Sequence, residues 1–231
     1  MVDFKTCLTL ESGSCYTEII MQSVINKILA PHSALSEIFP SDVDLRAIKQ
    51  EIRSAVKRAL DGIEPVEKPY LINICGLPAS GKTYLCSAFK AAHKEILYIS
   101  FDALMEDLPT YFSEHLSDRQ RSFERWELPA RFVGYQLLKQ AVKHKLPILF
   151  EHSNATPYHI ELYEKIKQAG YTVDIRYINA DLNLVLPRLE KRERYFSPKN
   201  AQARACALQE ILPVLEKTAS HFSILQPWQK P

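Results

Sequence analysis

The chain has 231 residues, 46% hydrophobic and 24% charged, ordinary proportions for a globular protein large enough to bury a full core. A net charge of +2 leaves no polyanion footprint, so nothing in the composition points to nucleic acid, and no run approaches the ~20 apolar residues of a membrane span. The five cysteines (Cys7, Cys15, Cys75, Cys86, Cys206) are odd in number and in no metal spacing, which suits a reduced, cytoplasmic protein; Asp3 and Glu11 break any secretory signal, and delivery by a dedicated, non-classical secretion machine would leave no trace of the kind sought.

Residues 1–68 carry no strand pattern and no chemical motif. The apolar spacing of Ile19, Ile20, Val24, Ile25, Ile28 and Leu29 predicts an amphipathic helix over Glu18–Leu29, closed by Pro31. A second helix starts at Ser41-Asp42, runs through Leu45, Ile48, Ile52, Val56 and Leu60, and stops at Asp61-Gly62. We read 1–68 as a helical extension packed on a core domain of residues 69–231, since so short a preface builds no core of its own easily.

Tyr70 to Cys75 is an apolar run that reads as a buried strand, and Gly76 to Thr83 matches G-x-x-x-x-G-K-[ST] at every fixed position. Tyr84 to Lys90 continues as a helix. Strand, glycine loop and helix together form a phosphate-binding loop: Gly76 and Gly81 permit positive φ, and the backbone of Leu77, Pro78, Ala79, Ser80 and Tyr84 surrounds the anion at the helix start and brings N–H groups against it. Proline 78 contributes no N–H to that set. Lys82 then reaches the β- and γ-phosphates and the Thr83 hydroxyl is a Mg²⁺ ligand, so the cofactors expected are ATP or GTP with Mg²⁺.

A second strand, Glu95 to Phe101, ends on Asp102. Ala103 to Lys145 is helical in pattern, interrupted by Pro109 and Pro129, with an Arg-Trp cluster at Arg119, Arg121, Arg125, Trp126 and Arg131. Leu146 to Phe150 is a short strand delivering Glu151, and the turn His152 to Pro157 leads to a helix through Gln168 capped by Gly170. Thr172 to Ile178 is a fourth strand, followed by a charged helical piece from Arg188 to Arg194. A helix over Ala201 to Ala219 precedes a last strand, His221 to Leu225. Strands alternating with helices imply parallel βαβ units: a three-layer α/β/α fold with a mainly parallel five-stranded sheet and ligands at the strands' carboxyl ends.

Asp102 and Glu151 therefore converge on the nucleotide. Phosphoryl transfer asks for a cradle, a metal, cations to spread charge and a carboxylate to take the acceptor's proton, and Asp102 suits the last role unless it only caps the next helix. Glu151 suits a metal-bound water or a substrate hydroxyl. Arg188 and Arg192, one helical turn apart, suit a lid that presents guanidinium groups, or an ordinary charged face laced by Glu190 and Glu193, while Arg194 points elsewhere. Trp126 and Arg131 either line an acceptor pocket or pack helices, and His152 reads as a hydrogen-bonded turn histidine.

The order of these pieces resembles the zeta-toxin family of P-loop kinases. The residues that carry the likeness are G-L-P-A-S-G-K-T, I-S-F-D-A-L, F-E-H-S-N-A-T-P-Y and the run from Tyr163 to Ile178, within about Ile63 to Arg194. The resemblance implies phosphorylation of a hydroxyl on UDP-N-acetylglucosamine or a related small molecule, with Lys82 and Thr83 on ATP and Mg²⁺, Asp102 as base, Glu151 and Ser153 toward the acceptor, Arg188 or Arg192 as lid cation, and an antitoxin or other neutralising protein as partner. The chain departs from the family at Ala155, where an arginine is usual, and at Met105, where a basic residue is usual, departures that leave open a nucleotide-binding effector or interaction module whose acceptor site no longer transfers phosphate. The loop, S-F-D and the Arg-Trp helix also look like seryl-tRNA kinases, but the short stretch after Arg194 carries no basic, aromatic-interleaved surface.

Overall fold

The computed structural model describes residues 15–29, 35–192 and 196–227. Its helices are α1 (Cys15–Leu29), α2 (Leu35–Ile38), α3 (Leu45–Leu60), α4 (Lys82–Ala92), α5 (Phe101–Glu106), α6 (Pro109–His115), α7 (Arg119–Lys143), α8 (Tyr158–Gln168), α9 (Leu182–Glu190) and α10 (Pro198–Thr218), and its strands are β1 (Tyr70–Gly76), β2 (Leu97–Ser100), β3 (Ile148–Glu151), β4 (Thr172–Ile178) and β5 (His221–Leu225). The strands form one parallel sheet in the order β2-β3-β1-β4-β5.

Side chains alternate across β1 and split the core in two. Leu71 and Cys75 join the cluster under α1, α3, α7 and α8, whereas Ile72 and Ile74 join the cluster containing Cys86 of α4, Val185 of α9 and Leu208 of α10. Ile148 and Phe150 against Leu149 of β3 repeat the pattern. The N-terminal helices belong to the first layer: Val24, Ile25, Ile48 and Ile52 are buried in it, and Lys27 of α1 bonds Glu161 of α8 at 2.8 Å.

Several local boundaries differ from the sequence expectation. Helix α3 starts at Leu45 because Asp44, not Ser41 or Asp42, accepts the capping bond from Arg46 N–H at 2.8 Å. Strand β2 stops at Ser100, whose hydroxyl accepts from Ala103 N–H and opens α5 with Phe101 inside it. Pro109 breaks the long helical stretch by standing at the first position of α6, whereas Pro129 sits inside an unbroken α7. The charged piece expected from Arg188 to Arg194 is the last turn of α9 and the residues after it; Arg194, like Cys7, lies outside the described residues.

The sheet order decides where chemistry gathers. β1 lies between β3 and β4, and the register pairs Ile74 with Glu151 and Ser100 with Glu151. The ends of β1, β2 and β3 therefore open on one crevice.

Candidate functional site

At the crevice Gly76 closes β1 with φ 140°, and a Cβ there would stand 2.8 Å from the Ile178 carbonyl oxygen. Only glycine passes so close to β4. Gly81, φ 102°, opens α4, and Ala79 also adopts a positive φ of 60°. Positive φ values at Gly76, Ala79 and Gly81 are what the tight turn of a phosphate-binding loop requires, and Ser80 N–H closes the turn on the Leu77 carbonyl at 3.2 Å. Lys82 Nζ donates to the carbonyls of Gly76 (3.1 Å) and Leu77 (2.7 Å). Burial lowers its pKa, with Glu151 opposing that shift. The buried Ser80 Oγ of the same loop has no hydrogen-bond partner and lies on the Gly76 side of the turn.

Glu151 ends β3 with both oxygens engaged. Oε1 accepts from the Thr83 hydroxyl at 2.7 Å and Oε2 from the hydroxyl of Tyr98 on β2. Burial first, and the Glu151 charge second, push the Tyr98 hydroxyl far above its ordinary pKa, so it remains a donor. A carboxylate gripped from two sides at the strand beside the loop is the donor set a Mg²⁺–phosphate complex asks for: Thr83 and Glu151 from the protein, oxygens from the nucleotide. No group of three or more His, Cys, Asp or Glu residues able to hold a metal occurs among the described residues.

A cavity of about 700 Å³ joins these groups to the rest of the crevice, a size typical of small-ligand sites. Its walls include Pro78, Ala79, Gly81, Lys82, Thr83 and Tyr84 of the loop, together with Asp102, Glu151 and Ser153. Arg131, Arg188 and Arg192 also line it, whereas Gly76, Leu77 and Ser80 do not face it. Asp102 sits in the first turn of α5, where Ser100 has already taken the cap, so capping does not account for it. Arg188 Nη1 reaches the Ala79 carbonyl at 3.4 Å, tying α9 to the loop.

Trp126 is not part of the cavity. It is fully buried, and its indole N–H donates to Glu114 at 2.9 Å, while Arg125 bonds Glu114 and Asp42. Of the Arg-Trp cluster, Arg131 faces the cavity. Met105, 1% exposed, and Ala155 line it as apolar surface at the positions expected to lack cations.

Several contributors have weak sequence signals. Arg204 of α10 bonds Ser153 Oγ at 3.2 Å and Glu127 Oε1 at 3.1 Å, over the Phe196 ring at 4.9 Å. Glu127 lies one helical turn before Arg131 on the same face of α7, a relation visible only once α7 is known to be continuous through Pro129. Asn73, a polar residue inside an apolar strand, was the clearer signal: its amide donates to the Phe150 carbonyl at 3.0 Å and its oxygen accepts from Asn154 at 2.7 Å. Asn154 also accepts from the Tyr163 hydroxyl at 2.8 Å, and the loop after β3 is thereby pinned.

His152 is more than a turn residue. It stacks on Phe150 at 5.3 Å and 9° and contacts His159 at 4.4 Å. Its Nδ1 accepts from the Asn154 amide, which puts the proton on Nε2, facing the Tyr135 hydroxyl; that hydroxyl bonds His159 Nε2 at 2.8 Å. Burial holds both imidazoles neutral, His159 down to about 3.

Loop, carboxylates and cations thus occupy one cavity, and the sequence model of the zeta toxins matches residues 54–227. The chain belongs to the zeta-toxin family. Its fold agrees: a chain of the PezAT chromosomal toxin–antitoxin system of Streptococcus pneumoniae superposes with a TM-score of 0.64 at 16% identity, covering 80% of this chain and 79% of that one. A putative kinase from Chloroflexus aurantiacus gives 0.51 at 16%, covering 69% and 89%. The AvrRxo1-ORF1:-ORF2 complex with ATP gives 0.56 at 15%, covering 94% and 70%. Among curated proteins no sequence match was found. By family and fold this zeta toxin is a P-loop kinase. No described helix is long and apolar enough to cross a membrane.

Proposed function

We propose that this zeta toxin transfers the γ-phosphoryl group of ATP to a hydroxyl of a small molecule, a sugar nucleotide such as UDP-N-acetylglucosamine. The observation that carries this reading is that the phosphate loop, Asp102 and Glu151 line one cavity. The Asp102 carboxylate accepts the acceptor's hydroxyl proton as that oxygen bonds the γ-phosphorus and the bond to the bridging oxygen of ADP breaks. Lys82, Arg188 and Arg192 spread the charge on the transferring group. Thr83 and Glu151 would hold Mg²⁺, which supplies charge neutralisation between the β- and γ-phosphates. A relative with ATP in its complex supports the nucleotide, and a relative from a toxin–antitoxin system supports a neutralising protein as partner. We read the described helices before residue 69 as an extension packed on the core domain of residues 69–231.

Lys82→Ala and Asp102→Asn test the reading. Both variants are expected to stay folded and to lose ATP turnover and transfer to UDP-N-acetylglucosamine. Turnover equal to wild type in both would overturn it.

A further inference from the structure

The cavity carries more positive charge than a nucleotide alone calls for. Lys82, Arg188, Lys191 and Arg192 gather near the phosphate loop, and Arg131 and Arg204 add to them, against Asp102, Glu127 and Glu151. Arg188 is anchored on the loop itself, through Ala79. Arg204 is anchored elsewhere: on Glu127 of α7 and on Ser153, beyond the end of β3. Arg131 belongs to that same corner, since it and Arg204 both act on His152, His159 and Tyr135.

A simple ion pair does not account for how Arg204 is held. Glu127 orients one Nη, Ser153 the other, and the Phe196 ring lies against the guanidinium carbon at 4.9 Å. A guanidinium has five N–H donors, and these two bonds use two of them, so a face fixed in plane and direction is left lining the cavity. Glu127 is the carboxylate that bonds Arg204, and Arg131 stands one helical turn further along α7. Beside them Met105 and Ala155 supply apolar wall and no charge. Such a rigid planar fork matches an oxyanion bidentately.

Resting on the kinase reading, we infer that Arg204, with Arg131 beside it, is the acceptor-side specificity determinant of this chain and binds a phosphate group carried by the acceptor, a charge delivered from α10 instead of from the loop after β3. Asp102 lines the same cavity as Lys82 and Arg204. An acceptor tethered there by its phosphate would offer a hydroxyl to Asp102.

Calorimetric titration of inorganic pyrophosphate tests this, on protein saturated with a non-hydrolysable ATP analogue and Mg²⁺ and on the Lys82→Ala variant. The expected result is one pyrophosphate site in both, weakened at least tenfold by Arg204→Ala and by Arg131→Ala, with the analogue's own affinity changed less than twofold. Arg204→Lys, which keeps the charge without the fork, is expected to fall between, and unchanged thermal melting shows that the variants fold. Absence of the site, its indifference to Arg204→Ala, or an equal loss of analogue binding in that variant overturns the inference. Failure of the analogue to bind wild-type protein counts against the kinase reading instead, and the Lys82→Ala titration still decides the role of Arg204.

Discussion

The Thr83 hydroxyl donates to Glu151 Oε1 at 2.7 Å, joining the first turn of α4 to the end of β3 across the crevice. The bond links the loop that cradles phosphate to the strand beside it, and Tyr98 holds the other carboxylate oxygen. Two hydroxyl donors aimed at one carboxylate keep its lone pairs oriented before any ligand arrives.

Thr83→Ala removes the hydroxyl and leaves Glu151 with Tyr98 alone. Turnover is expected to fall by roughly 10²–10³-fold, the usual effect of deleting one preorganised group of a charged transition state. Thr83→Ser keeps the hydroxyl and is expected to stay within about tenfold of wild type. Steady-state assays across a Mg²⁺ titration check both, and an alanine variant as active as the serine variant would show that the hydroxyl is dispensable.

His159 and His152 make stability depend on pH. Both are ordinary histidines when unfolded, near 6.5, and His159 drops to about 3 in the fold. The folded state therefore binds fewer protons than the unfolded chain as pH falls below about 6.5, and the stability that His159 contributes shrinks progressively until pH reaches its folded value. Between pH 6 and 4 the cost is up to roughly 1.4 kcal/mol per unit for each histidine. Urea unfolding midpoints measured across that range are expected to fall in wild type and to fall less steeply in His159→Gln. Parallel curves would show that these imidazoles titrate normally.

How much of this was legible in the sequence follows from where the information sits. The phosphate loop was readable because its fixed residues are contiguous and each has a local reason, as Gly76 has against Ile178. Strand β1 was readable as an apolar run because both of its faces are buried, one in each core. Boundaries slipped where a cap outvoted the apolar run, as Ser100 did at β2, or where packing overrode a helix breaker, as at Pro129. Arg204 left little signal: it meets Ser153 across a sequence separation of 51 and Glu127 across 77, and no spacing rule spans such distances. Trp126 could be read both ways, because an aromatic among arginines suits a binding surface as well as it suits a helix pair, and its full burial decides for the helix pair.

Gly134 gives a steric prediction opposite to helix propensity. In mid-helix, glycine to alanine ordinarily stabilises by ~1 kcal/mol. Here the new Cβ would stand 2.1 Å from Cδ1 of Phe101, a ring already packed against Tyr135, Phe150 and His152. The clash outweighs the propensity gain, and Gly134→Ala is expected to destabilise by about 1–3 kcal/mol in denaturant unfolding. Because Phe101 precedes Asp102 in the same short helix, turnover is expected to drop too. A stabilised, fully active variant would mean that the ring moves aside freely.

Asn154 tests whether the buried amide network or the backbone holds Ser153 in place. The residue has φ 60°, a conformation asparagine tolerates better than alanine, and it bridges Asn73 and Tyr163 at 2.7 and 2.8 Å. Asn154→Ala strands two buried partners, each costing about 1–3 kcal/mol, and adds left-handed strain. Asn154→Gly removes the same bonds without that strain. If the network dominates, both variants lose about 2–6 kcal/mol in urea unfolding and the glycine variant recovers under about 1 kcal/mol of it. Recovery of most of the loss by glycine would assign the position to backbone conformation, with Asn73 finding another partner. The same pair of proteins reads out function: a loop freed from Asn73 lets Ser153 drift from Arg204, so transfer activity is expected to fall further than ATP binding in both.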